Sequence, residues 1–88
     1  MHIPANELKP KIAIAQTKVI IGGKYVHYKS PDKTYTVISI AIIEANDDLC
    51  VIYRADYDPE LTFVRSLDNW LENVEYHGKK LPRFRVIN

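Results

Sequence analysis

With 88 residues, 47% of them hydrophobic and 26% charged, the sequence has the make-up of one ordinary globular domain rather than a disordered segment. Its formal net charge of +1 argues against a protein held on DNA or membrane by bulk charge, which needs a concentrated basic face. The one cysteine, Cys50, excludes an intrachain disulfide and leaves no cysteine-based metal site.

Residues 1 to 11 carry Pro4 and Pro10 and little apolar pattern, and read as an extended arm. Pro4, Asn6 and Glu7, with no long apolar run, do not read as a signal peptide. Together with a single cysteine in an apolar run, this makes the cytoplasm the expected location. Residues 12 to 20 fit either a short strand or a helical turn, and the arm as a whole is a candidate for self-association. Gly22-Gly23 then marks a turn.

Lys24 to Lys29 reads as a strand, with Tyr25, His27 and Lys29 on one face and Val26 and Tyr28 on the other. Ser30-Pro31-Asp32-Lys33 is turn chemistry, since proline fixes φ and Asp bonds its own backbone. Thr34 to Glu44 is the strongest strand, rich in β-branched and aromatic residues and free of proline. In it Ile38, Ile40 and Ile42 alternate with Val37, Ser39 and Ala41. The run without formal charge, Thr34 to Ile43, is too short to span a bilayer.

Asn46-Asp47-Asp48 is the next turn. Leu49 to Arg54 is a strand with Leu49, Val51 and Tyr53 on one face and Cys50, Ile52 and Arg54 on the other. An acidic turn around Pro59 leads to a short strand, Leu61 to Arg65. Ser66 is a helix N-cap and Asp68 suits the positive helix end. Leu67, Trp70, Leu71 and Val74 fall at helical spacing. Glu75 to His77, a turn at Gly78-Lys79-Lys80, and Phe84 to Ile87 read as a hairpin or two edge strands, with Pro82 ahead of the last one. The expected fold is mainly β: a small antiparallel SH3-like barrel or bent sheet of about five strands with one short helix.

The order of residues adds a resemblance. Gly23-Lys24-Tyr25-Val26-His27-Tyr28-Lys29 is followed by Tyr35-Thr36-Val37, Val51-Ile52-Tyr53-Arg54-Ala55 and Val64-Arg65-Ser66-Leu67. The series closes on Glu72-Asn73-Val74, Gly78-Lys79 and Pro82-Arg83-Phe84. It resembles the bacterial domain-of-unknown-function family numbered 1653, from about Gly23 to Val86. The family's usual Trp-Val-Arg-Pro-Leu is here Phe63-Val64-Arg65-Ser66-Leu67. A tryptophan stands instead at position 70, and Ser30-Pro31-Asp32 replaces the usual Gly-Asn. The resemblance implies a short bacterial protein, with residues 1–22 an arm outside the pattern and 23–88 a single β-rich domain. It implies no activity.

No pattern in the sequence marks a catalytic centre. His27 stands far in sequence from His2 and His77, without metal-ligand spacing, so neither metal nor cofactor is expected. Gly22-Gly23 precedes a strand, not the helix a phosphate loop needs. Ser30, Ser39 and Ser66 lack nucleophile context, and Cys50 sits in an apolar run that disfavours a thiolate. Arg54, Arg65 and Arg83 carry planar donor forks suited to phosphate or carboxylate. Arg54 and Arg65 end two strands that a turn can pair. With His27, Tyr28 and Tyr53 they make a candidate pocket for a small anionic or nucleotide-like ligand. The competing reading ties these arginines to Asp56, Asp58, Asp68 or Glu72 as structural locks. The first functional reading is therefore a binding module for a protein partner or small anionic ligand. One alternative is RNA or single-stranded nucleic-acid binding through Lys79, Lys80, Arg83 and Arg85 on a basic C-terminal hairpin. Another is an enzyme on a nucleotide-like substrate with His27 as acid or base.

Overall fold

The structure, a computed structural model, describes residues 4–88. Residues 1–3 of the expected arm, His2 among them, lie outside the described residues. Most of the rest of that arm is helical, not extended: α1 covers Ala5–Lys18. Glu7 and Leu8 donate their N–H groups to the Pro4 carbonyl and start the first turn. Ala, Leu, Lys and Gln favour a helix here, even though Pro10 lies inside it and removes one donor. Its apolar residues do not share one face. Ile14 is 58% exposed, while Ala15 and, just past the helix, Val19 are fully buried in the core. This scattered pattern hides the helix from a periodicity reading.

The chain then enters a five-stranded antiparallel sheet in the order β4-β3-β2-β1-β7. Its members are β1 (Lys24–His27), β2 (Ser30–Ile43), β3 (Asp48–Ala55), β4 (Thr62–Ser66) and β7 (Phe84–Val86). Gly23 makes the entry possible: a Cβ there would sit 2.9 Å from the Ile20 carbonyl oxygen. The expected turn at Ser30–Lys33 belongs instead to β2, and the chain reverses at Tyr28-Lys29 so that His27 pairs with Ser30. A bulge between Val37 and Ser39 resets the alternation of β2. Val37, Ile40 and Ile42 thereby share the face of Tyr53, Val51 and Leu49, and Ile38 is left 40% exposed. One extra residue in a strand has this effect because side chains alternate with a period of two.

The short helix α2 (Leu67–Leu71) is capped as expected, with Ser66 Oγ accepting the Asn69 N–H at 3.1 Å. Val74, expected on its apolar face, belongs to β5. The strands β5 (Asn73–Tyr76) and β6 (Lys79–Pro82) form a separate two-stranded hairpin. Its turn is His77-Gly78, both at positive φ, and Lys79 and Lys80 lie in β6. The last strand β7 does not join that hairpin but pairs with β1.

The barrel half of the expectation is corrected. Among the described residues β4 and β7 are the two edges of an open sheet and do not pair with each other. The chain between them is spent on α2 and the hairpin, and side chains close the core instead. That core joins Ala15, Val19, Tyr25, Val37, Ile40, Val51, Tyr53, Trp70 and Phe84. No described helix is long and apolar enough to cross a membrane.

Candidate functional site

Phe84 is the centre on which His27 of β1 and Arg65 of β4 converge, with Arg83 next to it in the chain. Its ring stacks on Trp70 of α2, with centroids 3.7 Å apart. Tyr53 and His27 meet it edge-on, at 5.6 and 5.0 Å. Arg65, at the end of β4, lies across from Val51 and so shares the core face. Its guanidinium carbon is 5.2 Å from the Phe84 ring centre, within cation–π range.

Asn69 organises the two arginines. Arg65 Nη1 donates to Asn69 Oδ1 at 2.6 Å, and Arg65 Nε to Tyr53 Oη at 3.4 Å. Arg83 Nε donates to the Asn69 backbone carbonyl at 3.0 Å, and its Nη2 pairs with the Glu72 carboxylate. A cation at the last carbonyls of a helix suits the helix dipole. Arg83 is therefore partly a structural lock, as the competing sequence reading expects. Arg65 is not: among the described residues it forms no ion pair. Among the described residues its side-chain hydrogen-bond partners, Asn69 and Tyr53, are neutral, and its Nη2 has no hydrogen bond.

His27 stands at the end of β1, and its Nδ1 accepts the Lys29 N–H at 3.2 Å. The ring proton of the neutral form is therefore on Nε2. Burial, then the nearby charges of Arg65, Arg83 and Lys29, hold its pKa below the ordinary 6.5. Tyr28 lies beside it at 4.6 Å, its ring tilted by 34°, and meets Tyr76 at 5.2 Å. His27 and Tyr28 also line a cavity of about 150 Å³ with Val26, Leu81, Pro82 and Arg85. That volume suits a small group rather than a drug-sized molecule, which needs roughly 300 Å³ or more.

Of the six residues singled out in the sequence, His27, Tyr53, Arg65 and Arg83 gather around Phe84, and Tyr28 adjoins them. Arg54 does not. It pairs with Thr36 and Thr62 on the opposite face of the sheet, so the expected approach of Arg54 to Arg65 is corrected. Near Arg54, Asp56 is taken by Lys24, Thr34 and Thr36. The basic C-terminal residues are also divided: Lys79 and Lys80 lie on the hairpin, while Arg85 lies on β7 across from Val26. Phe84, Asn69 and Trp70 are the residues that sequence reasoning missed as site members. The Pro82-Arg83-Phe84 triplet and the four-residue step from Arg65 to Asn69 were their available signals.

A second depression, about 290 Å³, lies away from Phe84 between Lys11, Asp47, Asp48, Ser66, Leu67 and Asp68. Among the described residues no group of three or more His, Cys, Asp or Glu side chains is placed to hold a metal ion.

Residues 23–86 match the model of the family described as protein of unknown function (DUF1653). The chain belongs to that family. Its matched part begins at Gly23, leaving α1 outside, and takes in the whole sheet and the Phe84 site. The chain is also similar to the crystal structure of a DUF1653 protein from Bordetella bronchiseptica. The TM-score is 0.67 at 27% identity, over 80% of this chain and 90% of that one. No curated protein matches it. The family description names no activity for DUF1653 proteins, so function has to be argued from the site.

Proposed function

We propose that this DUF1653 protein is a small binding module that takes an anionic ligand at Arg65, beside Phe84. The observation that carries the reading is the pairing state of Arg65. A half-buried guanidinium is held in place by neutral partners, Asn69 and Tyr53, and rests near an aromatic ring. Such a group keeps its charge and spare donors for a carboxylate or phosphate, and partial burial strengthens the attraction. Arg83 and His27 add donors at the rim. The single buried thiol, Cys50, suits a cytoplasmic setting. A protein partner presenting a carboxylate would use the same chemistry. Nucleic-acid binding through the C-terminal residues has less support, because Arg83 is tied to Glu72 and the remaining cations are split between two sheets.

The test is a thermal-shift series with inorganic phosphate, sulfate and citrate against chloride at equal ionic strength. A ligand that binds only the folded state raises the melting temperature. The expected result is a concentration-dependent rise with at least one multivalent anion, abolished in Arg65→Gln. No rise above chloride, or an equal rise in Arg65→Gln, would overturn the reading.

A further inference from the structure

We infer that the ligand at Arg65 is a planar aromatic ring carrying a phosphate, of the nucleoside monophosphate class, with its ring on Phe63 and Tyr57. The inference rests on the anion reading above and adds a second subsite to it. On β4, Phe63 and Arg65 are two residues apart and share the core face, since they pair with Tyr53 and Val51. Their backbones are thus roughly 7 Å apart along the strand, about the span from a nucleobase to its 5′-phosphate. β4 is an edge of the sheet, so this face is open from the side.

The aromatic surface beside Arg65 on β4 is partly bare. Phe63 is 37% exposed and Tyr57 is 50% exposed. Tyr35 joins them, 6.4 Å from Phe63 and 5.8 Å from Tyr57, and Tyr53 backs Phe63 at 5.6 Å. The rings of Phe63 and Tyr57 both meet Tyr35 edge-on, so the cluster is a fixed corner rather than a collapsed stack. Lys33 Nζ lies over the Tyr57 ring, 4.9 Å from its centre. Planar bases stack on such surfaces whatever their identity.

Charge favours one orientation. The acidic turn with Asp58 and Glu60 follows Tyr57, while Asp56 is already paired with Lys24. A phosphate at that end would meet Asp58 and Glu60 beside the Lys33 ammonium, whereas Arg65 forms no ion pair among the described residues. The phosphate therefore belongs at Arg65 and the base toward Tyr57. The formal charge of +1 and the same acidic turn suit a single nucleotide better than a polynucleotide track.

The experiment titrates the full chain with adenosine monophosphate, ribose 5-phosphate, inorganic phosphate and adenosine at one ionic strength, followed by calorimetry and amide chemical shifts. Adenosine monophosphate should bind about tenfold tighter than ribose 5-phosphate, from one base stacked on an aromatic ring, with shifts at Phe63 and Tyr57. Phe63→Leu keeps apolar bulk but removes the ring. It should bring adenosine monophosphate down to the ribose 5-phosphate level and leave ribose 5-phosphate within twofold. Tyr57→Ala, at an exposed turn position, should weaken only the base-containing ligand. Equal affinity for the two phosphates, survival of the gain in both variants, or adenosine binding as tightly as its monophosphate would overturn the inference. If all the phosphates fail, or bind equally to Arg65→Gln, the anion reading fails with it. That result is distinguishable, because ribose 5-phosphate tests the anion half alone.

Discussion

Trp70 and Phe84 lie face to face, with centroids 3.7 Å apart and planes 6° from parallel. One comes from a five-residue helix and the other from the edge strand β7, and they are 2% and 7% exposed. This contact joins two segments that share no ladder, and it positions the ring on which Arg65 rests. Trp70→Ala should destabilise the domain by about 3–5 kcal/mol, the usual loss for a buried large aromatic. Trp70→Phe, which keeps a ring, should lose less than half of that. Urea unfolding midpoints at constant slope measure both. An alanine variant within about 1 kcal/mol of the native protein would show that the stack does not hold the core.

Asp56 ties β1, β2 and the end of β3 together. Its carboxylate accepts from Thr36 and Thr34 Oγ1, each at 2.7 Å, and from Lys24 Nζ at 3.0 Å. Burial alone would raise its pKa. The hydrogen bonds from Thr36, Thr34 and Lys24, with the Lys24 charge, outweigh it and hold the group at about 2, below the ordinary 3.8. A depressed carboxylate stabilises the fold above its unfolded value, and the contribution disappears as pH falls through its folded value. Asp56→Asn should therefore be less stable by about 1 kcal/mol at pH 7, discounted for partial exposure. The gap should shrink from about pH 4 and vanish below about pH 2. A gap that persists unchanged into acid would refute the assignment.

His27 should titrate below 6.5 in the free protein, because burial and then Arg65, Arg83 and Lys29 disfavour its charged form. Its folded pKa is depressed, so its contribution to stability is full above 6.5 and is lost as pH falls through the folded value. A bound anion favours the imidazolium, so saturating phosphate should raise the His27 pKa. By linkage, phosphate affinity should then increase as pH falls below 7. Proton NMR of the imidazole reads the pKa directly, and Arg65→Gln should raise it too. A free-state pKa above 6.5, or no change with bound phosphate, would contradict the proposed neighbourhood.

Arg54 and Asn69 supply opposite controls for the site. Arg54 is on the far face of the sheet, so Arg54→Gln should leave anion binding within twofold. Asn69→Ala removes the side-chain acceptor of Arg65 but keeps the carbonyl that Arg83 uses. It should weaken binding severalfold while lowering stability by only about 1 kcal/mol, the worth of one hydrogen bond. Titration calorimetry on the two variants separates them, and a larger loss in Arg54→Gln than in Asn69→Ala would place the anion elsewhere.

Much of the sheet was legible because its strands carry local signals. Thr34 to Ile43 is rich in β-branched residues, Leu49 to Tyr53 is a short continuous apolar run, and Ser66 announces the helix start. The site was legible in part. His27, Tyr53, Arg65 and Arg83 stand out by residue type, but nothing local separates Arg54 from Arg65. That distinction is a matter of register: each ends an apolar run, yet they point to opposite faces. The helix α1 was misread because only Ala15 of it is buried, so its sequence carries no clear apolar stripe.

By itself the sequence determined the family, the β-rich class, the Ser66 cap, the turns near Gly22 and Asn46, and the residue types able to hold an anion. These depend on neighbours a few positions away, where backbone propensity and side-chain alternation act directly. Tertiary structure decided the rest. The bulge between Val37 and Ser39 chose which isoleucines face the core. The pairing of β7 with β1, rather than with the hairpin, carried Phe84 to Trp70 and left the sheet open. Those outcomes depend on contacts between residues far apart in the chain, where burial of large rings outweighs local preference. The same long-range packing brings Asn69 to both Arg65 and Arg83 and leaves Arg65 with its charge uncompensated by any ion pair among the described residues.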